Sequence, residues 1–167
     1  MQYIKGMQFY QNDKKTAITL GKFDGLHRGH ETLIERVIAH QKNDGVDSVV
    51  FAFDMAPLYE KLKKKKESLI TNEERAGRLL GRVDYLVECP FVEAVSKIEA
   101  ETFIKEILVE QFHAKYIVVG TDFHFGYQKK GDYHMLQQYS GEYGYEVEVI
   151  EKKCYEDREI SSTYIKE

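Results

Sequence analysis

Short apolar runs alternate with amphipathic stretches along this chain. Each run is nearly all apolar and rich in β-branched residues, as strands buried on both faces of a parallel sheet are. Five strands are predicted in this way, at residues 16–20, 48–53, 84–88, 116–119 and 146–150. A smaller strand at residues 2–5 is expected at the edge of the sheet.

Helices are predicted between the strands. Apolar residues at positions 33, 34, 37 and 38 recur at helical spacing and indicate a helix from about residue 29 to residue 41. Further helices are predicted from Asn72 onward, at residues 100–112 and at residues 131–139. Strands that alternate with helices are typical of βαβ units. The pattern therefore predicts an α/β fold, with a five-stranded, mostly parallel sheet and helices on both of its faces.

Composition narrows the class of protein. The chain has 167 residues, 43% hydrophobic and 31% charged, which suits a single domain over residues 1–167. Cys89 and Cys154 stand far apart without metal-binding spacing and are expected to be reduced thiols. A net charge of −4 argues against a protein that coats nucleic acid. Since no secretory segment or membrane-length apolar run is visible, a cytoplasmic protein is expected.

The densest chemical signal is the segment ITLGKFDGLHRGHETLI at residues 18–34. A strand ends there, two glycines open a turn, and a helix begins behind His27 and His30. A helix amino terminus and two imidazoles one turn apart supply donors and positive charge to phosphate oxygens, while Gly25 and Gly29 allow close backbone approach. Phosphate chemistry is therefore indicated. A structural histidine pair and a zinc pair are the alternatives, although zinc would lack a third ligand nearby.

Five segments in series resemble one enzyme family. Residues 21–34, GKFDGLHRGHETLI, resemble the GxFDGxHxGHxxLI signature of the FMN adenylyltransferase domain of bacterial bifunctional riboflavin kinase/FAD synthetases. Four further stretches resemble motifs of that family in the same order: FAFDMAP at 51–57, then residues 69–91, residues 103–132, and EISSTYIKE at 159–167. Because the resemblance spans nearly the whole chain, it is far more specific than any one motif.

The resemblance implies a Rossmann-like nucleotidyltransferase fold and transfer of AMP from ATP to FMN, with no covalent enzyme intermediate. Mg²⁺ is expected to accompany ATP, and no metal-ligating side chains are assigned. The residues implied in catalysis are His27, His30, Ser161, Ser162 and Thr163. Those implied in ATP binding are Gly21, Phe23, Asp24, Gly25, His27, Gly29, His30, Gly120, Asp122, Ser161, Ser162 and Thr163. Those implied in FMN binding are Phe53, Pro57, Asp122 and Phe125.

The sequence departs from the family pattern on both sides of the expected site. Lys22 and the pair Met55-Ala56 stand where the family has a small polar residue and Pro-His. Arginine makes a permanently charged, bidentate contact with phosphate, so its loss predicts a weaker phosphate clamp. The positions that lack the family's arginines are His124, Tyr164 and Lys166, and the nearby cations that could replace them are Lys129, Lys130 and Arg158.

Two other functions stay open from these departures. One is a related HxGH nucleotidyltransferase that acts on another phosphate acceptor, and the other is a catalytically weak flavin- or nucleotide-binding module. The expected partners are ATP and FMN, with no nucleic acid and no membrane. The family's bifunctional members continue into a riboflavin kinase domain after the last motif. These residues are expected to form no such domain, so the chain is either excised from a longer parent or monofunctional.

Overall fold

The computed structural model describes residues 2–21, 28–54, 82–90, 92–121 and 123–150, with the backbone alone at residues 28–31 and 54. At its centre lies a six-stranded sheet whose strand order is β1-β4-β3-β2-β5-β6. Every neighbouring pair of these strands runs parallel. The strands are β1 (Gln2–Lys5), β2 (Thr16–Gly21), β3 (Asp47–Asp54), β4 (Tyr85–Pro90), β5 (Ala114–Gly120) and β6 (Glu146–Ile150).

All five strands predicted from the apolar runs are confirmed. The small edge strand expected at residues 2–5 is also confirmed, and because its four residues pair with β4 the sheet has six strands and not five. This strand is mostly exposed, with Ile4 as its buried residue, so it lacks the continuous apolar run that marks the central strands.

Four helices flank the sheet in the described part of the chain. They are α1 (Arg28–Asp44), the short α2 (Glu93–Ser96), α3, which starts as an α-helical turn (Ala100–Thr102) and continues as a π-helix (Phe103–Gln111), and α4 (Tyr133–Tyr143). Short 3₁₀ turns lie at Met7–Phe9 and Tyr127–Lys129. None of these helices is long and apolar enough to cross a membrane. The helix predicted from Asn72 lies outside the described residues.

The ends of two helices differ from their predicted positions for local reasons. α1 runs three residues beyond the predicted end at residue 41, and Gly45 follows it with a φ of 71°. α4 starts two residues later than predicted, because the side chain of Asp132 caps it by accepting a hydrogen bond of 3.1 Å from the Met135 N–H. Its last residue is Tyr143, four residues beyond the predicted end, and Gly144 with its left-handed backbone follows as the cap.

The core is divided by the sheet, since successive strand residues point to opposite faces. On one face, Leu33, Ile34 and Val37 of α1 pack against Ala17, Val50, Leu86 and Val118 of the strands. On the other face, α3 and α4 cover the alternate strand residues, among them Ile18, Leu20, Phe51 and Ile117. Helices therefore cover both faces, as predicted.

Candidate active site

The strand order places a crevice at the carboxyl edge of the sheet. The chain passes from β2 through α1 to β3 on one side, whereas β5 and β6 extend the sheet on the other side of β2. Open α/β sheets bind ligands where the strand order reverses in this way. Gly21 ends β2 and Gly120 ends β5, so these two sequence-predicted ATP contacts lie at neighbouring strand ends beside the reversal.

The amino terminus of α1 lies on the same edge, because α1 follows β2 directly. α1 begins at Arg28, which places Gly29 and His30 in its first turn. The first-turn N–H groups of a helix have no partner within it and carry partial positive charge, so they suit an anion. The remaining sequence-predicted contacts with phosphate, ATP or the flavin loop lie outside the described residues: Phe23, Asp24, Gly25, His27, Pro57, Asp122, Ser161, Ser162 and Thr163.

A cluster of aromatic rings occupies the α3 side of this edge. Phe53, next to the last residue of β3, has its ring centroid 6.1 Å from that of Phe103 on α3. Phe125, in the segment after β5, lies 5.6 Å from Phe103. Phe53 and Phe125, the two predicted flavin contacts in the described part of the chain, are 8% and 4% exposed, so both belong largely to the core.

The segment after β5 is held tightly against the start of α3. Phe125 and Gly131 exchange two backbone hydrogen bonds of 3.1 and 2.9 Å, and the Tyr127 N–H donates to the Ile98 carbonyl at 2.7 Å. Gly126 has a φ of 80°, and a Cβ on it would lie 2.6 Å from the Ala100 Cα. A Cβ on Gly131 would lie 2.7 Å from the Phe125 ring. Glycine is therefore needed at both positions for this close approach.

Phe123 also belongs to the aromatic cluster, although sequence reasoning missed it. Its ring lies 5.7 Å from that of Phe125 at an interplanar angle of 16°, and 6.4 Å from that of Phe53 at 27°. Unlike those two rings, Phe123 is partly exposed. The signal for it was present, because residues 123 and 125 are alternate aromatic positions of one segment, but their difference in exposure depends on packing against α3.

Charged groups flank the aromatic cluster. His124, Lys129 and Lys130 are exposed on the segment that follows β5, and Gln128 and Lys129 adopt left-handed backbone angles with φ of 58° and 57°. Asp132, at the end of this segment, is partly desolvated, but the Met135 N–H and His134 hold its pKa below the usual range. Lys129 and Lys130, two of the cations that could replace arginine, are thus exposed four and five residues after Phe125.

A buried carboxyl group lies on the other face of the same edge. Glu88 of β4 is 2% exposed, pairs in register with Ala52 of β3, and accepts a hydrogen bond from the Tyr3 hydroxyl. Burial raises the pKa of Glu88 to about 7. Cys89, the next residue, is buried, and its thiol donates a hydrogen bond of 3.9 Å to the Pro90 carbonyl. No group of three or more His, Cys, Asp or Glu side chains that could hold a metal ion occurs within the described ranges.

Comparison with known proteins gives one family match and several curated relatives. The family model described as FAD synthetase matches residues 9–164. The bifunctional riboflavin kinase/FMN adenylyltransferase of Escherichia coli strain K12 is 30% identical over 90% of this chain and 49% of its own length. The proteins of that name from Haemophilus influenzae and from Buchnera aphidicola of Schizaphis graminum are 30% and 29% identical, over 100% and 99% of this chain.

A solved structure shares the fold. The crystal structure of a macrolide-efflux protein from Streptococcus pneumoniae superposes with a TM-score of 0.73, at 24% identity over 90% of this chain and 50% of that chain. The chain spans about half the length of the curated relatives it matches. Since the family model covers most of the sequence, the chain belongs to the FAD synthetase family.

Proposed function

We propose that this chain transfers AMP from ATP to the phosphate of FMN. One oxygen of the FMN phosphate attacks the α-phosphorus of ATP, the bond from that phosphorus to the β-phosphate oxygen breaks in line, and the products are FAD and pyrophosphate. No covalent enzyme intermediate is required. The reaction therefore depends on positioning the two phosphates and on stabilising the charge that develops between them.

The observation that carries the proposal is the meeting of two features at one sheet edge. The first turn of α1, with Gly29 and His30, follows β2, and the aromatic segment that contains Phe125 follows the neighbouring strand β5. An anion site and an aromatic cluster at adjacent strand ends suit a substrate pair that joins polyphosphate to a flat heterocycle.

Residue roles follow from the family motifs. His27 and His30 bind the ATP phosphates and stabilise the transition state, with the N–H groups of α1 behind them. Gly21, Phe23, Asp24, Gly25, Gly29, Gly120 and Asp122 surround ATP, and Ser161, Ser162 and Thr163 donate to its phosphates. Phe53, Pro57, Asp122 and Phe125 form the FMN side. Mg²⁺ bound to the ATP phosphates would supply charge neutralisation there, and no side chain of this chain is assigned to hold it.

The test is a chromatographic assay of FAD formed from FMN, ATP and Mg²⁺. His27→Ala and His30→Ala should each lower the rate by a factor of about 10² to 10³, since each removes a donor from the charge that develops. His113→Asn serves as the matched control, because His113 precedes β5 at the opposite edge of the sheet and asparagine tolerates its φ of 52°. The control should keep the wild-type rate.

Three results would overturn the proposal. Turnover with another phosphate compound but none with FMN would assign a different acceptor. Binding of FMN and ATP without any product would leave a binding module. Equal rates for the wild type and both histidine variants would show that the phosphates do not bind at the start of α1.

A further inference from the structure

The aromatic cluster at the carboxyl edge is not uniformly buried. Phe53 and Phe125 are 8% and 4% exposed, whereas Phe123 is only partly buried. The Phe123 ring lies within 27° of parallel to the Phe53 ring and within 16° of parallel to the Phe125 ring. Of the three rings, that of Phe123 therefore belongs to the residue most accessible to a planar ligand.

The position of Phe123 is fixed before any ligand binds. Its N–H donates to the Gly120 carbonyl at 3.1 Å, directly after β5. Two residues later, the paired hydrogen bonds between Phe125 and Gly131 and the close contact of Gly126 with Ala100 anchor the segment on α3. An aromatic ring that is anchored in this way binds a planar ligand without a large loss of side-chain entropy.

A partly exposed phenylalanine such as Phe123, beside two buried and nearly parallel rings, suits a large, poorly hydrated heterocycle more than a phosphate or a sugar. Offset stacking and apolar burial both favour such a partner. The charged groups nearby, His124 and Lys129, are exposed on the same segment and not within the cluster. The cluster itself therefore offers an apolar contact.

We infer that Phe123 contacts the tricyclic ring of the acceptor and determines affinity for it, beyond the contact expected from Phe125. This inference rests on the proposed function, because it assumes that the acceptor is a flavin. Phe125, which is buried against Phe103 and beneath Gly131, acts mainly as the support that positions Phe123. The two rings thus differ in role although they stand two residues apart.

The experiment measures binding and steady-state kinetics for wild type, Phe123→Leu and Phe123→Tyr. Loss of the ring in Phe123→Leu should raise the KM for FMN roughly tenfold, since stacking of a base on an aromatic side chain is of this size. The KM for ATP should not change. Riboflavin, which has no phosphate, should lose the same factor in affinity as FMN. Phe123→Tyr, which keeps a planar ring, should restore binding.

A matched control is Phe9→Leu. Phe9 is 68% exposed and follows β1, which lies four strand positions away from β5 in the sheet. This variant should leave both KM values unchanged. Thermal unfolding of all variants separates a loss of binding from a loss of folding, because the partly exposed Phe123 contributes less to the core than Phe125 does.

The results distinguish failure of this inference from failure of the proposed function. If wild type makes FAD and Phe123→Leu has an unchanged KM for FMN, the inference fails and the proposed function stands. A raised KM for ATP alone would place Phe123 against the adenine and would also overturn the inference. If wild type neither binds nor converts FMN, the proposed function fails, and the inference that rests on it fails with it.

Discussion

Glu148 on the edge strand β6 accepts two hydrogen bonds from the guanidinium group of Arg36 on α1, at 2.8 and 3.2 Å. His40, one turn further along α1, is in hydrogen-bond contact with the same carboxylate, and its ring stacks on Tyr116 of β5 at 3.9 Å. These side chains join α1, which carries His30, to the strand that precedes the last family motif. Arg36 and Glu148 lie 112 residues apart in the sequence, so this polar contact joins distant parts of the chain.

This contact predicts a pH-dependent contribution to stability. Burial alone would raise the pKa of Glu148, but the hydrogen bonds from Arg36 and His40 prevail and hold it below its usual value. A carboxyl group whose folded pKa is lowered stabilises the fold above its unfolded pKa, near 4.3, and this stabilisation is lost as the pH falls through the folded pKa. Glu148→Gln should therefore lower the free energy of unfolding by about 1 kcal/mol at pH 7, with a difference that shrinks on acidification.

Urea denaturation at pH 7 and at pH 3 measures this difference. The matched control is Glu93→Gln, because Glu93 makes an exposed ion pair with Lys97 one helical turn away, at 2.7 Å. Its effect should stay below about 0.5 kcal/mol at either pH. An equal effect of the two substitutions would show that the Glu148 contact does not hold β6 to α1.

Two buried threonines of β2 predict opposite effects of the same substitution. Both are 0% exposed. The Thr16 hydroxyl donates to the Phe112 carbonyl at 2.8 Å, whereas the Thr19 hydroxyl, alone among the buried side-chain polar atoms of the described residues, has no hydrogen-bond partner. Valine has nearly the shape of threonine without the hydroxyl. Thr19→Val should raise the free energy of unfolding by about 1 kcal/mol, and Thr16→Val should lower it by about 1 kcal/mol.

Chemical denaturation of the two variants side by side provides the measurement. Each serves as the control of the other, since strand, burial and substitution are the same. A loss of stability in Thr19→Val similar to that in Thr16→Val would mean that the Thr19 hydroxyl is hydrogen-bonded in solution.

The fold was predictable from sequence to the extent that local pattern determines it. The central strands are continuous apolar runs, and α1 has an apolar stripe, so each is readable from its own residues. The edge strand β1 was predicted only as a small strand outside the main five, because Ile4 is its sole buried residue. The unpartnered hydroxyl of Thr19 and the ion pair between Arg36 and Glu148 were not predictable, because each depends on segments far apart in the chain.

For the candidate site, the sequence predicted where the motif lies in the fold but not which of its aromatic residues are exposed. The motif spacing placed Gly29 and His30 in the first turn of a helix that follows a strand, and the structure confirms that placement. It could not rank the aromatic residues of the segment after β5, since the burial of Phe125 and the partial exposure of Phe123 arise from packing on α3. Whether a residue is exposed depends on how the helices pack on the sheet, and the motif alone does not determine this.

Glu88 predicts a second pH effect, of opposite sign. Burial raises its pKa to about 7, above the unfolded value near 4.3. A carboxyl group of this kind stabilises the fold fully below its unfolded pKa, and the stabilisation is lost as the pH rises through the folded pKa. Between about pH 4 and pH 8 the wild type should therefore lose about 3 to 4 kcal/mol of unfolding free energy at this site.

Glu88→Gln should remove that loss, because glutamine stays neutral and still accepts a hydrogen bond from Tyr3. Unfolding free energies of the variant and the wild type should be similar at pH 4, and the variant should be more stable at pH 8. Glu106→Gln, an exposed substitution on α3, controls for the general change in net charge. A wild type that is no less stable than Glu88→Gln at pH 8 would contradict a raised pKa at the buried Glu88.

Gly126 links the stability of the aromatic segment to the proposed activity. An alanine there would combine a φ of 80° with a Cβ only 2.6 Å from the Ala100 backbone, so the segment must shift away from α3. Gly126→Ala should lower the free energy of unfolding by about 2 kcal/mol and, by displacing Phe123 and Phe125, raise the KM for FMN more than the KM for ATP.

Gly141→Ala is the matched control, since a Cβ at Gly141 in α4 would have nothing within 4 Å apart from its chain neighbours and the backbone of its own helix. Alanine favours a helix over glycine, so this variant should gain about 0.5 to 1 kcal/mol and keep both KM values. Denaturation curves and FAD formation by the same preparations provide the two measurements. If Gly126→Ala lost stability while its KM for FMN stayed at the wild-type value, the segment after β5 would be a structural support that does not contact the flavin.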